Sequence, residues 1–127
     1  RNELKKVYLM QFIIYSLIGV ISGITGGLFG VGGGIIIVPA LTYFMGLPIK
    51  TAIGTSLAII VPTAIMGSAK HLQQGNVDWK IVLAVVPLAI VGSYLGAWMT
   101  QHIKPAHLQK GFAVLMIYVG IRLFMKP

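Results

Sequence analysis

The positions of this 127-residue chain that bear on chemistry are dominated by backbone formers and not by reactive side chains. The run from Gly26 to Gly34 (GGLFGVGGG) has glycine at six of nine positions. Each glycine disfavours a regular helix by roughly 1 kcal/mol relative to alanine and opens φ/ψ values that other residues avoid. A helix entering this run should break or bend. The N–H groups at the start of the helix that opens near Gly33 would offer partial positive charge to an anion. Nucleotide chemistry does not fit: Gly34 is followed by Ile35 and Ile36 where a P-loop needs Lys and Ser/Thr, and G-x-G-x-x-G does not occur in register. His71, His102 and His107 fall near expected membrane boundaries, without metal-ligand spacing or carboxylate neighbours. Ser56, Ser68 and Ser93 lack a base and an orienting partner. The expectation is no enzyme, no metal and no cofactor.

Charge narrows the choice further. Ten Lys/Arg face two acids, Glu3 and Asp78, for a formal net charge of +8. The basic residues punctuate apolar runs, so they are read as snorkelling to the headgroups of membrane lipid and not as a nucleic-acid surface. Both acids lie at the edges of apolar segments. Carriers of cations and protons place Asp or Glu at membrane depth, because a desolvated cation needs a fixed negative partner. Backbone donors, Ser/Thr hydroxyls and peripheral lysines suit an anion instead. Cysteine is absent, so there is no thiolate chemistry.

The elements that must position these residues read as an all-α integral membrane protein. Hydrophobic residues make up 57% of the chain and mean hydropathy is +0.90, against a charged fraction of about a quarter in soluble domains. After a polar lead, Arg1 to Lys6, Val7 to about Thr25 is long enough to cross a hydrocarbon core of about 30 Å. The glycine run follows, then a short apolar piece from Ile35 to Met45 that contains Pro39. This is either one helix broken in the middle or a hairpin that returns part way. Lys50 to about Leu72 is the next span. Its Pro62 frees a carbonyl one turn earlier, which Thr63, Ser56 or a bound solute would satisfy. Gln73 to Lys80 reads as a turn, Ile81 to about Thr100 as a span, Gln101 to Lys110 as a polar connection, and Gly111 to Phe124 as a last span. About four transmembrane helices result, one broken or re-entrant at the glycine run.

Four-residue spacing of small residues at Gly19, Gly23 and Gly27, at Ser22, Gly26, Gly30 and Gly34, and at Gly92 and Gly96 lets helix backbones approach closely, and for Gly19, Gly23, Gly92 and Gly96 close packing is the preferred reading over contact with a substrate. The apolar N-terminal region is too long for a cleaved signal peptide. With four spans, Arg1, Lys5, Lys6, Lys70, Lys80, Arg122 and Lys126 collect on one side, which places both ends in the cytoplasm. That bias nearly vanishes if the glycine run reverses the chain across the whole membrane.

Four ordered motifs, GGLFGVGGGIIIVP (26–39), TAIGTSLAIIVPTA (51–64), QQGNVDWK (73–80) and VGSYLGAWM (91–99), resemble the sulfite exporter TauE/SafE family of membrane transporters, also described as sulfonate uptake permeases. The resemblance implies transport of small sulfur-containing or organic anions, such as sulfite or sulfonates, by a multi-pass protein of a prokaryotic inner (plasma) membrane. It implies that Gly30, Gly32, Gly33, Gly34, Pro39, Thr55 and Ser56 line the family's motif region, to which Pro62 and Thr63 are added as candidate substrate-binding residues. Members of that family are about twice as long and are built from two related halves, whereas each motif occurs once here. Residues 1–127 are thus expected to form a single transmembrane domain equivalent to one half. The chain opens on Arg1 and closes on a basic tail, and a homodimer is expected in preference to a piece of a longer chain.

The leading expectation is a secondary carrier working by alternating access around the glycine break. An anion channel, or a structural subunit whose glycines only permit tight packing, are the alternatives.

Overall fold

The computed structural model describes residues 1–126. Five helices follow in order: α1 (Asn2–Phe29), α2 (Gly34–Phe44), α3 (Ile49–Gln73), α4 (Trp79–Thr100) and α5 (Pro105–Met125). All but α2 are long and apolar enough to cross a membrane. At 11 residues, α2 covers only about 16 Å.

α1 runs on through Gly26 and Gly27 to Phe29, past the expected end near Thr25, and the starts of α1, α4 and α5 lie before the sequence expectation, each for a local reason. α1 takes in the polar lead, where Glu3 sits in the first turn and complements the positive helix end. α5 begins at Pro105 and not near Gly111, because proline is preorganised for the first helical position, where a missing N–H costs nothing. α4 starts directly after Asp78, whose carboxylate accepts from the N–H groups of Lys80 and Ile81 at 3.0 and 3.4 Å.

Contacts between named residues give the direction of each helix. Gly23 and Gly27 of α1 share a groove with Pro62, Thr63, Met66 and Gly67 of α3. A Cβ on Gly67 would lie 3.9 Å from Gly27 Cα, and one turn further His71 Nε2 meets the Gly27 carbonyl. Residue numbers rise together along both helices, so α1 and α3 run the same way. α2 runs opposite to α3: Gly34 lies over Ser56 and Ile60, while Val38 and Leu41 join Ile49 and Ala52 further down. Gly46, at φ 68°, closes α2 and lets the Leu47 N–H reach the Leu41 carbonyl.

α4 returns alongside α3, with Lys50 Nζ donating to the Gln101 carbonyl at 3.4 Å. From there a cleft runs past Gly54 and Leu57 on α3 and Ala97 and Ser93 on α4. The first turns of α5 bring Leu108 and Phe112 onto the same end of α3. Since α1 and α3 are parallel, the chain between them comes back. The described helices therefore start at one end of the bundle and finish at the other, the arrangement that the sequence left open if the glycine run reverses the chain.

Burial is concentrated where α2 folds against α3. Ile37, Val38, Leu41, Ile49 and Ala52 form the core, with Ser22 and Ser56 the buried polar side chains. Neither α4 nor α5 has a buried residue. In hydrocarbon this carries no penalty, since lipid tails cover apolar side chains as well as a protein core does.

Candidate functional site: a cavity at the glycine turn

The turn that joins α1 to α2 depends on conformations that only glycine adopts readily. Gly30, Gly32 and Gly33 have φ of 70°, 70° and 82°. Gly30 terminates α1 by donating to the Gly26 carbonyl at 2.8 Å. The chain then doubles back onto the helix it has just left. A Cβ on Gly33 would stand 2.7 Å from the Ser22 carbonyl oxygen, and one on Gly26 would stand 2.9 Å from the Gly33 nitrogen. Ser22 lies seven residues before the end of α1, roughly 10 Å along its axis. The start of α2 is thus drawn back to the depth of the third turn from the end of α1.

Between the last turns of α1 and the second half of α3 this leaves a cavity of about 270 Å³. Its α1 side is Ser22, Gly23, Gly26 and Gly27, continued by Gly30 and Gly32 of the turn; its α3 side is Thr63, Ala64, Gly67, Ser68 and His71, and Val77 closes one end. The volume falls just below the ~300–1,000 Å³ of sites for drug-sized ligands, a scale for a small solute. No acidic residue is among its walls. Asp78 is already engaged in capping α4.

The sequence-expected residues divide among several places. Gly30, Gly32 and Thr63 line the cavity. Gly33 and Gly34 form the turn behind it, with Gly34 against Ile60 and Ser56. Ser56 is buried beneath the first turn of α2 and does not reach the cavity, while Thr55 points away from the core and is exposed. Pro39 lines a separate apolar groove between α2 and α5. Pro62 lies on the outer α1/α3 groove that shares Gly23, Gly27, Thr63 and Gly67 with the cavity. The Thr63 hydroxyl donates to the Ile59 and Ile60 carbonyls at 3.1 and 3.0 Å. It therefore serves the carbonyls next to the one that Pro62 frees, which belongs to Ala58.

His71 is the residue that sequence reasoning passed over as an interface histidine. Nε2 lies 2.9 Å from the Gly27 oxygen, one of the carbonyls that the end of α1 leaves without a helical partner. As carbonyl oxygens only accept, Nε2 carries the proton and donates. A signal was present: Thr63, Gly67 and His71 recur at four-residue spacing and form one face of α3 opposite Gly23 and Gly27. Ser22, Gly26 and Gly27 were also missed as walls of the site, although the same small-residue spacing marked them.

Electrostatically, two helix ends of opposite sign meet at this turn. The negative end of α1 is answered by Gly30 N–H and by His71, at the Gly26 and Gly27 carbonyls. The positive end of α2 begins at Gly33, where the first N–H groups of a helix lack intrahelical acceptors.

A family model described as "Sulfite exporter TauE/SafE" matches residues 2–125. The chain is 34% identical over 116 residues to "Probable membrane transporter protein YunE" of Bacillus subtilis, covering 91% of this chain and 42% of the relative. It is 32% identical over 116 residues to a "Probable membrane transporter protein" of Haemophilus influenzae, covering 86% and 44%. It is also 31% identical over 121 residues to "Probable membrane transporter protein MJ0441" of Methanocaldococcus jannaschii, covering 91% and 45%. The chain thus spans less than half the length of these relatives. No solved structure matches it. The chain is a multi-pass membrane protein and belongs to the sulfite exporter TauE/SafE family of membrane transporters.

Proposed function

We propose that this chain is one half of a secondary transporter for small anions, with sulfite and sulfonates as the substrate class suggested by the family description. Two such units, as a homodimer, make the working protein, and alternating access exposes the cavity at the glycine turn to either side. The observation that carries this reading is the acid-free cavity beside a turn of left-handed glycines, walled by Gly30, Gly32, Thr63 and His71. An anion there gains from the positive end of α2 and meets no fixed negative side chain, while the His71 and Thr63 protons are already given to backbone carbonyls. The Thr63 hydroxyl already donates backwards along α3, so its proton turns toward an anion only at the expense of that bond. Binding is therefore carried mainly by backbone N–H groups, which is why the site is built from glycine.

The test is uptake into proteoliposomes containing only this polypeptide, comparing sulfite, an alkyl sulfonate, chloride and an organic cation, with and without a pH gradient. Saturable uptake of the sulfur oxyanions, with counterflow of labelled anion, is the expected result. Accumulation of the cation alone overturns the charge argument, and single-channel currents replace the carrier with a pore.

A further inference from the structure

We infer that the second unit is a copy of this chain inserted in the opposite orientation, seated on the α1/α3 groove that carries Gly23, Gly27, Met66 and Gly67. The inference deepens the two-unit reading above and rests on it.

Orientation follows from the helix directions. α1 and α3 are each long enough to cross the bilayer and run the same way, so residues 30–48 carry the chain back across it. The turn at Gly30 to Gly33 already starts α2 roughly 10 Å back from the end of α1, the 11 residues of α2 cover about 16 Å, and the residues between α2 and α3 supply the rest at up to ~3.3 Å each. α4 returns and α5 crosses once more. The unit thus makes an odd number of passes, and its two ends face opposite compartments.

With this topology the basic residues redistribute. Arg1, Lys5, Lys6, Lys50, Lys104 and Lys110 fall on the face of the α1 start, and Lys70, Lys80, Arg122 and Lys126 on the other, six against four. Lys/Arg asymmetry is the main determinant of insertion direction, and so small a bias admits both.

The place of docking follows from the cavity. Gly23, Gly27, Thr63 and Gly67 belong both to the cavity and to the outer groove, so the cavity opens sideways toward lipid. A Cβ at Gly23 or Gly27 would meet nothing across the groove within 4 Å except at Gly67's own approach to Gly27. On the proposed function, an anion held in the cavity cannot be left open to hydrocarbon there, whereas a protein surface seated on the small residues of the groove closes it. Relatives more than twice as long as the matched segment carry enough additional chain for a second such unit. Two inverted copies would bring a glycine turn toward the shared cavity from each side of the membrane.

The experiment uses the whole chain in a bacterial inner membrane, with a C-terminal topology reporter and two affinity tags on separate copies. The unmodified chain should place its C-terminus on both faces and the tagged copies should co-purify. Removing charge from one face (Lys70→Gln with Lys80→Gln) or from the other (Lys5→Gln, Lys6→Gln, Lys104→Gln and Lys110→Gln) should lock opposite orientations. Each locked variant alone should lose co-purification, and the two expressed together should recover it, while retained helicity in detergent shows that both fold. A C-terminus confined to one face, or a locked variant that pairs with itself as well as the unmodified chain does, overturns the inverted arrangement and leaves pairing standing. Absence of co-purification in the unmodified chain overturns pairing itself, and neither readout depends on the transported solute.

Discussion

Replacing Gly33 by alanine separates a glycine needed for backbone fit from one that is merely present. At φ 82° an alanine pays the left-handed penalty of about 1–2 kcal/mol. Its Cβ would also stand 2.7 Å from the Ser22 carbonyl oxygen, a backbone atom of a continuous helix that cannot rotate aside. Relief requires α2 to move off α1 by a few tenths of an ångström, and overpacking of this kind costs about 1–3 kcal/mol. The sum is about 2–5 kcal/mol. Gly30 supplies the control: at φ 70° with no heavy atom near its Cβ, Gly30→Ala should cost only the conformational part, about 1–2 kcal/mol. Gly23→Ala, helical and open, should be neutral or stabilise by up to about 1 kcal/mol. Reversible unfolding in mixed micelles, followed by helicity, gives the three values. Equal losses for Gly33→Ala and Gly30→Ala would refute the close approach of α2 to α1. A further check lies in Gly26→Ala, which presses on the Gly33 nitrogen from the other side. Both substitutions force the same separation, so the double variant should lose less than the sum of the two.

Three other outcomes follow from single contacts. His71→Ala leaves the Gly27 carbonyl without its donor and should cost about 1–3 kcal/mol in the same unfolding assay, with partial recovery in His71→Gln, whose amide can still donate. Asp78→Ala removes the α4 cap and should cost about 0.5–2 kcal/mol, seen as faster hydrogen exchange at Lys80 and Ile81. Thr63→Val keeps the shape of the cavity wall and gives up a hydroxyl that bonds back along its own helix, so stability should change by less than about 1 kcal/mol. A loss of sulfite uptake in that stable variant would assign the hydroxyl to the transported anion, and unchanged uptake would leave binding to the backbone.

What the sequence revealed was what depends on composition and local rules. The long apolar runs marked α1, α3 and α4, the glycine run marked where α1 ends, and the turn around Gly75 and Asn76 marked the end of α3. The last apolar run marked α5 but not its start at Pro105, because polar residues in the first two turns of a helix look like a connection when only hydropathy is followed. The direction of α2 was hidden for a different reason. Whether an 11-residue apolar piece continues a broken helix or turns back is decided by a contact between residues remote from it, Gly33 against Ser22, and by the register of α1 on α3. Neither leaves a local signal. His71 was hidden by the same kind of cause: its partner is a carbonyl 44 residues away, and a carbonyl belongs to every residue alike.

That partner also bears on the sign of the site. A chain that ends one helix and starts another within four residues brings a negative and a positive helix end together, and a cavity beside the turn would be neutral if both were equally open. Here they are not. The Gly26 carbonyl is taken by Gly30 and the Gly27 carbonyl by His71, while α2 starts on a glycine with no side-chain acceptor at its cap. With the Gly26 and Gly27 carbonyls engaged, the balance at the turn shifts toward the α2 amides, whose field is worth about 0.3–1 kcal/mol for an exposed charge and up to about 2 when partly buried. On the proposed function, His71 would act on selectivity by withholding an oxygen. His71→Ala should weaken discrimination between sulfite and an organic cation in proteoliposome uptake even where total uptake persists, whereas an unchanged ratio would mean that the α1 carbonyls never faced the solute.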